Sequence, residues 1–231
     1  MKYHLLMLVL LIAKPSFSQN VQNSAHENNA KQVHAEPSRA LVPLVKGRRE
    51  FSLWAGFSFN SPSGYYLGIT GDREFFIAGI RFGTIVAANR NVALEYVFDL
   101  IPAAVVTNNP IHQVDGAPLS NGENQPVHRG SVYGAGLAPI GLQLYMWPRN
   151  RLRLFFGGTG GFLSFLKDVP VLDARKFNFA FDLGLGVQMI TRSNLAVTFG
   201  YKLHHLSNAN TADSNPGLDA NIFYLGVAAF R

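Results

Sequence analysis

From Phe177 to Met189 every second residue is large and apolar: Phe177, Phe179, Phe181, Leu183, Leu185, Val187 and Met189. Between them stand Asn178, Ala180, Asp182, Gly184, Gly186 and Gln188. A period of two belongs to a β-strand, because successive side chains point to opposite faces. A helix would repeat the apolar residues every three or four positions. The segment therefore has one greasy face and one small or polar face, and it needs a partner surface for each.

The same alternation recurs along the chain. Phe51, Leu53, Ala55, Phe57 and Phe59 form one row, and Val92, Leu94, Tyr96, Phe98 and Leu100 form another. Eight strands are predicted, at 49–60, 73–87, 91–105, 131–147, 151–167, 175–191, 194–207 and 219–231. Several exceed the roughly 5–6 residues usual in globular sheets. Strands of about 9–11 residues or more with one apolar face suit a barrel that crosses a bilayer. The opposite faces carry Arg81, Glu95, Asp99, Gln143, Asp182, Gln188 and Lys202 among glycines. In a narrow barrel these point inward, where both charge signs can pair. The fold class predicted is all-β, an eight-stranded antiparallel transmembrane β-barrel of the outer membrane. A soluble sandwich with a polar outer face is the rival architecture.

Composition agrees. Hydrophobic residues make up 48% of the chain and charged ones 15%, against roughly 25% charged in ordinary soluble domains. With no cysteine, disulfides and thiolate-ligated metals are excluded. Lys2, the apolar run Leu5 to Ala13 and the sequence Ser16-Phe17-Ser18 before Gln19 have the layout of a secretory signal. That run is too short for a membrane helix, and no later segment is long and apolar enough. The organisation expected is a signal peptide at 1–18, a flexible polar periplasmic segment at 19–46 and the barrel at 47–231.

The formal charge of +6 falls to +4 once Lys2 and Lys14 leave with the signal. The remaining basic residues are scattered, which argues against nucleic acid and is compatible with attraction to anionic lipid headgroups. The predicted connections alternate in length. Ala88-Asn89-Arg90, Pro148-Arg149-Asn150 and Arg192-Ser193 are short, whereas 61–72, 106–130, 168–174 and 208–218 are longer. Outer-membrane barrels place short turns in the periplasm and long loops outside. Both termini are then periplasmic, and Phe230 supplies the aromatic near the end.

The row Leu195, Val197, Phe199, Tyr201, Leu203 runs on to His205 and Ser207. A base and a potential nucleophile thus share the lipid-facing row near the outer end of the seventh strand. A serine hydroxyl needs a base to take its proton and a third group to orient that base. Asp219 opens the antiparallel neighbour, and the loop from Asn210 to Leu218 returns it near His205. Asn208 is a candidate oxyanion donor, together with a backbone N–H. This arrangement suggests an esterase acting on lipid, with no metal or organic cofactor. Asp213 is a loop rival for the acid. His204 falls on the opposite face with Lys202 and is expected in the lumen. His34, His112 and His128 are expected in the lead or loops and lack metal-ligand spacing. Gly157-Gly158-Thr159-Gly160-Gly161 lies inside a strand pattern and is taken as room in a narrow lumen.

His205-Leu206-Ser207-Asn208-Ala209, followed by Asn215-Pro216-Gly217-Leu218-Asp219, resembles the PagL-type lipid A 3-O-deacylases. That family has a His-x-Ser-Asn motif and an acid twelve positions after the serine, usually Glu where this chain has Asp219. The strong resemblance covers the last ~30 residues, the seventh and eighth strands. It implies an eight-stranded barrel with its site on the outer wall. It also implies catalytic residues Ser207, His205 and Asp219, and lipid A or lipopolysaccharide in the outer leaflet as substrate. A homodimer is compatible with the sequence. Two other functions fit a barrel of this pattern: a non-catalytic structural or adhesion barrel, and a general outer-membrane phospholipase or esterase.

Overall fold

The structure is a computed structural model that describes residues 41–62, 67–113, 127–193 and 195–231. The expected signal peptide, His34 and most of the polar lead lie outside the described residues.

Eight strands follow one another: β1 (Arg49–Ser58), β2 (Phe75–Ala88), β3 (Val92–Gln113), β4 (Val127–Met146), β5 (Leu152–Val169), β6 (Arg175–Ile190), β7 (Leu195–Ser207) and β8 (Leu218–Phe230). Each pairs antiparallel with the next, and β8 pairs with β1, closing the barrel. Closure leaves no sheet edge, so every strand finds backbone partners on both sides. None of the described residues forms a helix. The strand positions follow the alternation closely in six cases.

The other two strands are longer than expected. β3 continues to Gln113 and β4 begins at Val127, so much of the stretch predicted as the loop 106–130 is paired strand. Thr107, Asn108, Asn109 and Pro110 break the apolar pattern. Their pairing with β4 is irregular, with register shifts between Val106 and Asn109 and between Pro110 and His112. Bulges let the ladder absorb such residues. His112 and His128, expected in a loop, face each other across this hairpin with ring centroids 4.5 Å apart.

The lumen is filled rather than open. Arg81 grips Asp99 with two bonds, Nε to Oδ1 and Nη2 to Oδ2, both 2.8 Å, and donates to Gln143 Oε1 at 2.8 Å. Asp182 accepts from Lys202 Nζ at 3.0 Å and Thr159 Oγ1 at 2.9 Å, and pairs with His204 Nδ1 at 2.6 Å. Lys202 also sits 4.0 Å over the Trp54 ring. Charges this deep persist only when paired and hydrogen-bonded. The β5 glycines fit that crowding. A Cβ at Gly161 would lie 2.0 Å from Leu137 O on the next strand.

Leu44, assigned to the flexible lead from sequence, is instead packed at the short-turn end. It is 1% exposed, clusters with Ile85, Ala93, Tyr145 and Phe155, and donates its N–H to Pro148 O at 3.0 Å. The short apolar run Leu41-Val42-Pro43-Leu44-Val45 offers no period to read, and the burial of Leu44 comes from closing the barrel mouth.

Candidate active site

Alternation along β7 sorts its residues cleanly. Ala196, Lys202, His204 and Leu206 are buried in the lumen, while Leu195, Val197 and Phe199 are exposed. Leu203, His205 and Ser207 continue the outward row and are half-buried. His204 turns inward to Asp182, as its register requires.

On β8 the same alternation turns Asp219 outward, directly opposite His205 in the ladder. Its Oδ1 lies 2.6 Å from His205 Nδ1. Its Oδ2 accepts the backbone N–H groups of Leu67 at 2.9 Å and Gly68 at 2.8 Å. The carboxylate is wholly buried, and the imidazole keeps 16% of its side-chain surface. Hydrogen bonds to a charged group contribute about 1.5–3 kcal/mol each, which offsets taking the carboxylate out of water. The shorter Asp therefore reaches the ring without strain on β8, because the ladder already sets the two residues side by side. Asp213 is exposed in the β7–β8 loop, and the imidazole is engaged by Asp219 instead.

Ser207 ends β7. Its Oγ lies 3.1 Å from Asn215 Oδ1 and 3.0 Å from Asn215 Nδ2, and it accepts the N–H of Ala209 at 3.1 Å. Among the described residues no hydrogen bond joins Ser207 to His205. The pair shares a face, as expected, but the hydroxyl is parked on the loop amide.

Asn208 engages its side chain within the β7–β8 loop. It is 1% exposed, and its Nδ2 donates to Ser214 O at 2.8 Å. Its own N–H donates to Asn215 Oδ1 at 3.0 Å. Its amide braces the β7–β8 loop, and the amide next to Ser207 belongs to Asn215. Sequence reading missed Asn215 because a loop asparagine carries no periodic signal.

The β6 neighbour completes the surroundings. Phe179 pairs with Ser207 and Phe181 with His205, and both are about half exposed on the outward face. Phe177 packs against Phe162 with centroids 5.2 Å apart. The site therefore sits at the outer-wall end of a phenylalanine-rich surface. Among the described residues no group of three or more His, Cys, Asp or Glu side chains could hold a metal.

Residues 116–228 match the family model for lipid A 3-O-deacylase (PagL), a span that takes in His205, Ser207, Asn215 and Asp219. That span, just under half of the chain, is similar to the PagL family. The fold is also similar to a crystal structure of the outer membrane enzyme PagL, at TM-score 0.52 and 12% identity, covering 78% of this chain and 97% of that one. Neisserial surface protein A overlays at TM-score 0.44 and 12% identity, covering 80% of this chain and 97% of that one. The attachment invasion locus protein Ail of Yersinia pestis overlays at 0.40 and 11%, covering 81% and 100%. No curated protein matches the chain. At 12% identity the overlay on the PagL structure shows the fold alone, a closed antiparallel barrel. The activity named by the PagL family comes from the family match.

Proposed function

We propose that this barrel is a serine esterase of the outer membrane that removes the acyl chain esterified at the 3-position of lipid A. The observation that carries the reading is the His205–Asp219 pair, 2.6 Å apart on the outward wall with Ser207 on the same row.

Nδ1 of the imidazole faces Asp219, which leaves Nε2 as the base. Ser207 Oγ turns from Asn215 toward Nε2, a rotation about one side-chain bond. It gives its proton to His205 and attacks the ester carbonyl. The carbonyl π electrons move onto oxygen, which the Asn215 Nδ2–H stabilises as the charge develops. Collapse breaks the bond to the sugar oxygen, and His205 returns the proton to it. Water, activated by the same imidazole, then releases the fatty acid and restores Ser207. Asp219 holds the ring and stabilises the imidazolium throughout. No cofactor enters any step.

The apolar row below the site, Leu195 to Phe199, and the phenylalanines of β6 suit burial in acyl chains. Such burial supports a site at the height of the outer-leaflet ester linkages. The purified barrel in detergent, offered lipopolysaccharide and glycerophospholipid separately, tests the substrate class. Fatty acid released from lipopolysaccharide with little from phospholipid agrees with the proposal. Equal hydrolysis of both points to a general esterase.

A further inference from the structure

The β1–β2 loop touches the candidate site through a short extended segment, residues 67–70. Its side chains alternate: Leu67 and Ile69 are 69% and 68% exposed, while Gly68 and Thr70 are buried. The segment runs parallel to the β7–β8 loop. The N–H of Ile69 donates to Pro216 O at 2.8 Å and that of Thr70 to Gly217 O at 3.3 Å, with a parallel bridge from Thr70 to Leu218. Its two preceding N–H groups converge on one carboxylate oxygen, Asp219 Oδ2.

Close approach is what makes this contact possible. A Cβ at Gly68 would lie 2.9 Å from Gly217 C and Leu218 N, and 3.0 Å from Asp219 N. Across the seam Gly217 has φ +64°, a left-handed conformation that glycine adopts freely. A Cβ there would lie 3.1 Å from both Gly68 Cα and His205 Cε1. Two glycines therefore let the loops meet directly over the His–Asp pair.

We infer that residues 67–70 form a strap whose backbone N–H groups position Asp219, and through it His205, for the reaction. The ladder alone sets Asp219 opposite His205, but a carboxylate has two oxygens and a free torsion. Pinning Oδ2 from the strap aims Oδ1 at Nδ1 and keeps water off the pair. Leu67 and Gly68 act through their main chain, so they are positioning residues. The inference rests on the esterase reading for its kinetic consequence and on geometry alone for its spectroscopic one.

The test uses the full barrel refolded in detergent micelles, with Leu67→Pro removing one N–H and Gly68→Ala forcing the two loops apart. Both changes lie outside the strands, and heat-modifiable gel mobility reports whether the barrel has closed. Proton NMR should show a downfield His205 Hδ1 resonance in the parent protein. It should disappear in Asp219→Asn, and in both strap variants as water reaches the pair. On a soluble fatty-acyl ester, kcat should fall by up to about 100-fold with KM little changed, the scale expected from ångström-level misplacement. Combined with Asp219→Asn, the strap changes should cost nothing further. An intact resonance and unchanged kcat in folded Leu67→Pro and Gly68→Ala would overturn the inference, as would losses that add to that of Asp219→Asn. Normal activity in His205→Ala would instead sink the esterase reading, while the resonance would still decide the strap.

Discussion

His205 and Asp219 face each other across the β7–β8 ladder, with Nδ1 and Oδ1 2.6 Å apart and the carboxylate wholly buried. The pairing register sets the two residues opposite each other in the barrel wall. Replacing Asp219 by Asn preserves size but removes the charge and favours the wrong imidazole tautomer. A kcat loss of about 10³–10⁴-fold is expected, by analogy with the same change in serine proteases. Steady-state release of fatty acid by folded Asp219→Asn measures it.

Asn215 holds Ser207 Oγ in the resting site, and the proposed mechanism gives its amide the oxyanion. Removing one such donor typically costs about 10²–10³-fold in kcat. Asn215→Ala should therefore lower kcat by that order, whereas Asn208→Ala should act mainly by loosening the β7–β8 loop. A comparison of kcat and of thermal unfolding for the two variants separates these effects. A larger kcat loss in Asn208→Ala would reverse the assignment.

Adjacent histidines offer an internal control. His204 lies in the lumen against Asp182, on the face opposite His205. His204→Ala should keep acyl release near the parent level while lowering resistance to urea, because Asp182 loses a buried partner. His205→Ala should show the reverse pattern. Activity and urea midpoint measured on both variants check the prediction.

Inside the barrel the paired charges matter for stability. Arg81→Ala would leave Asp99 buried without its cation, since side-chain exposures are 13% and 1%. Breaking a buried pair from one side costs about 3–5 kcal/mol. Equilibrium unfolding of the barrel in micelles should show a loss of that size.

Much of this architecture was legible in the sequence, for a physical reason. A strand whose two faces meet lipid and lumen must alternate at every position, so Phe177 to Met189 announces itself without knowledge of its neighbours. The pairing of His205 with Asp219 was also legible, because a hairpin fixes which residues lie opposite. The extensions of β3 and β4 were hidden by Thr107 to Pro110, polar residues and a proline that bulges accommodate beyond the regular ladder. The contacts of Asn215 with Ser207 and of Gly68 with Asp219 were not legible. They are made by loops, and Gly68 lies 151 positions from its partner. No period or spacing encodes a contact of that kind.

The central claim is that Ser207 and His205 carry out ester hydrolysis on lipid A. Mass spectrometry of lipid A from cells producing the parent barrel, Ser207→Ala or His205→Ala, each confirmed as folded in the outer membrane, tests it most directly. The account predicts that the parent removes one 3-linked acyl chain and that both variants leave lipid A fully acylated. Deacylated lipid A in cells making either folded variant would contradict it.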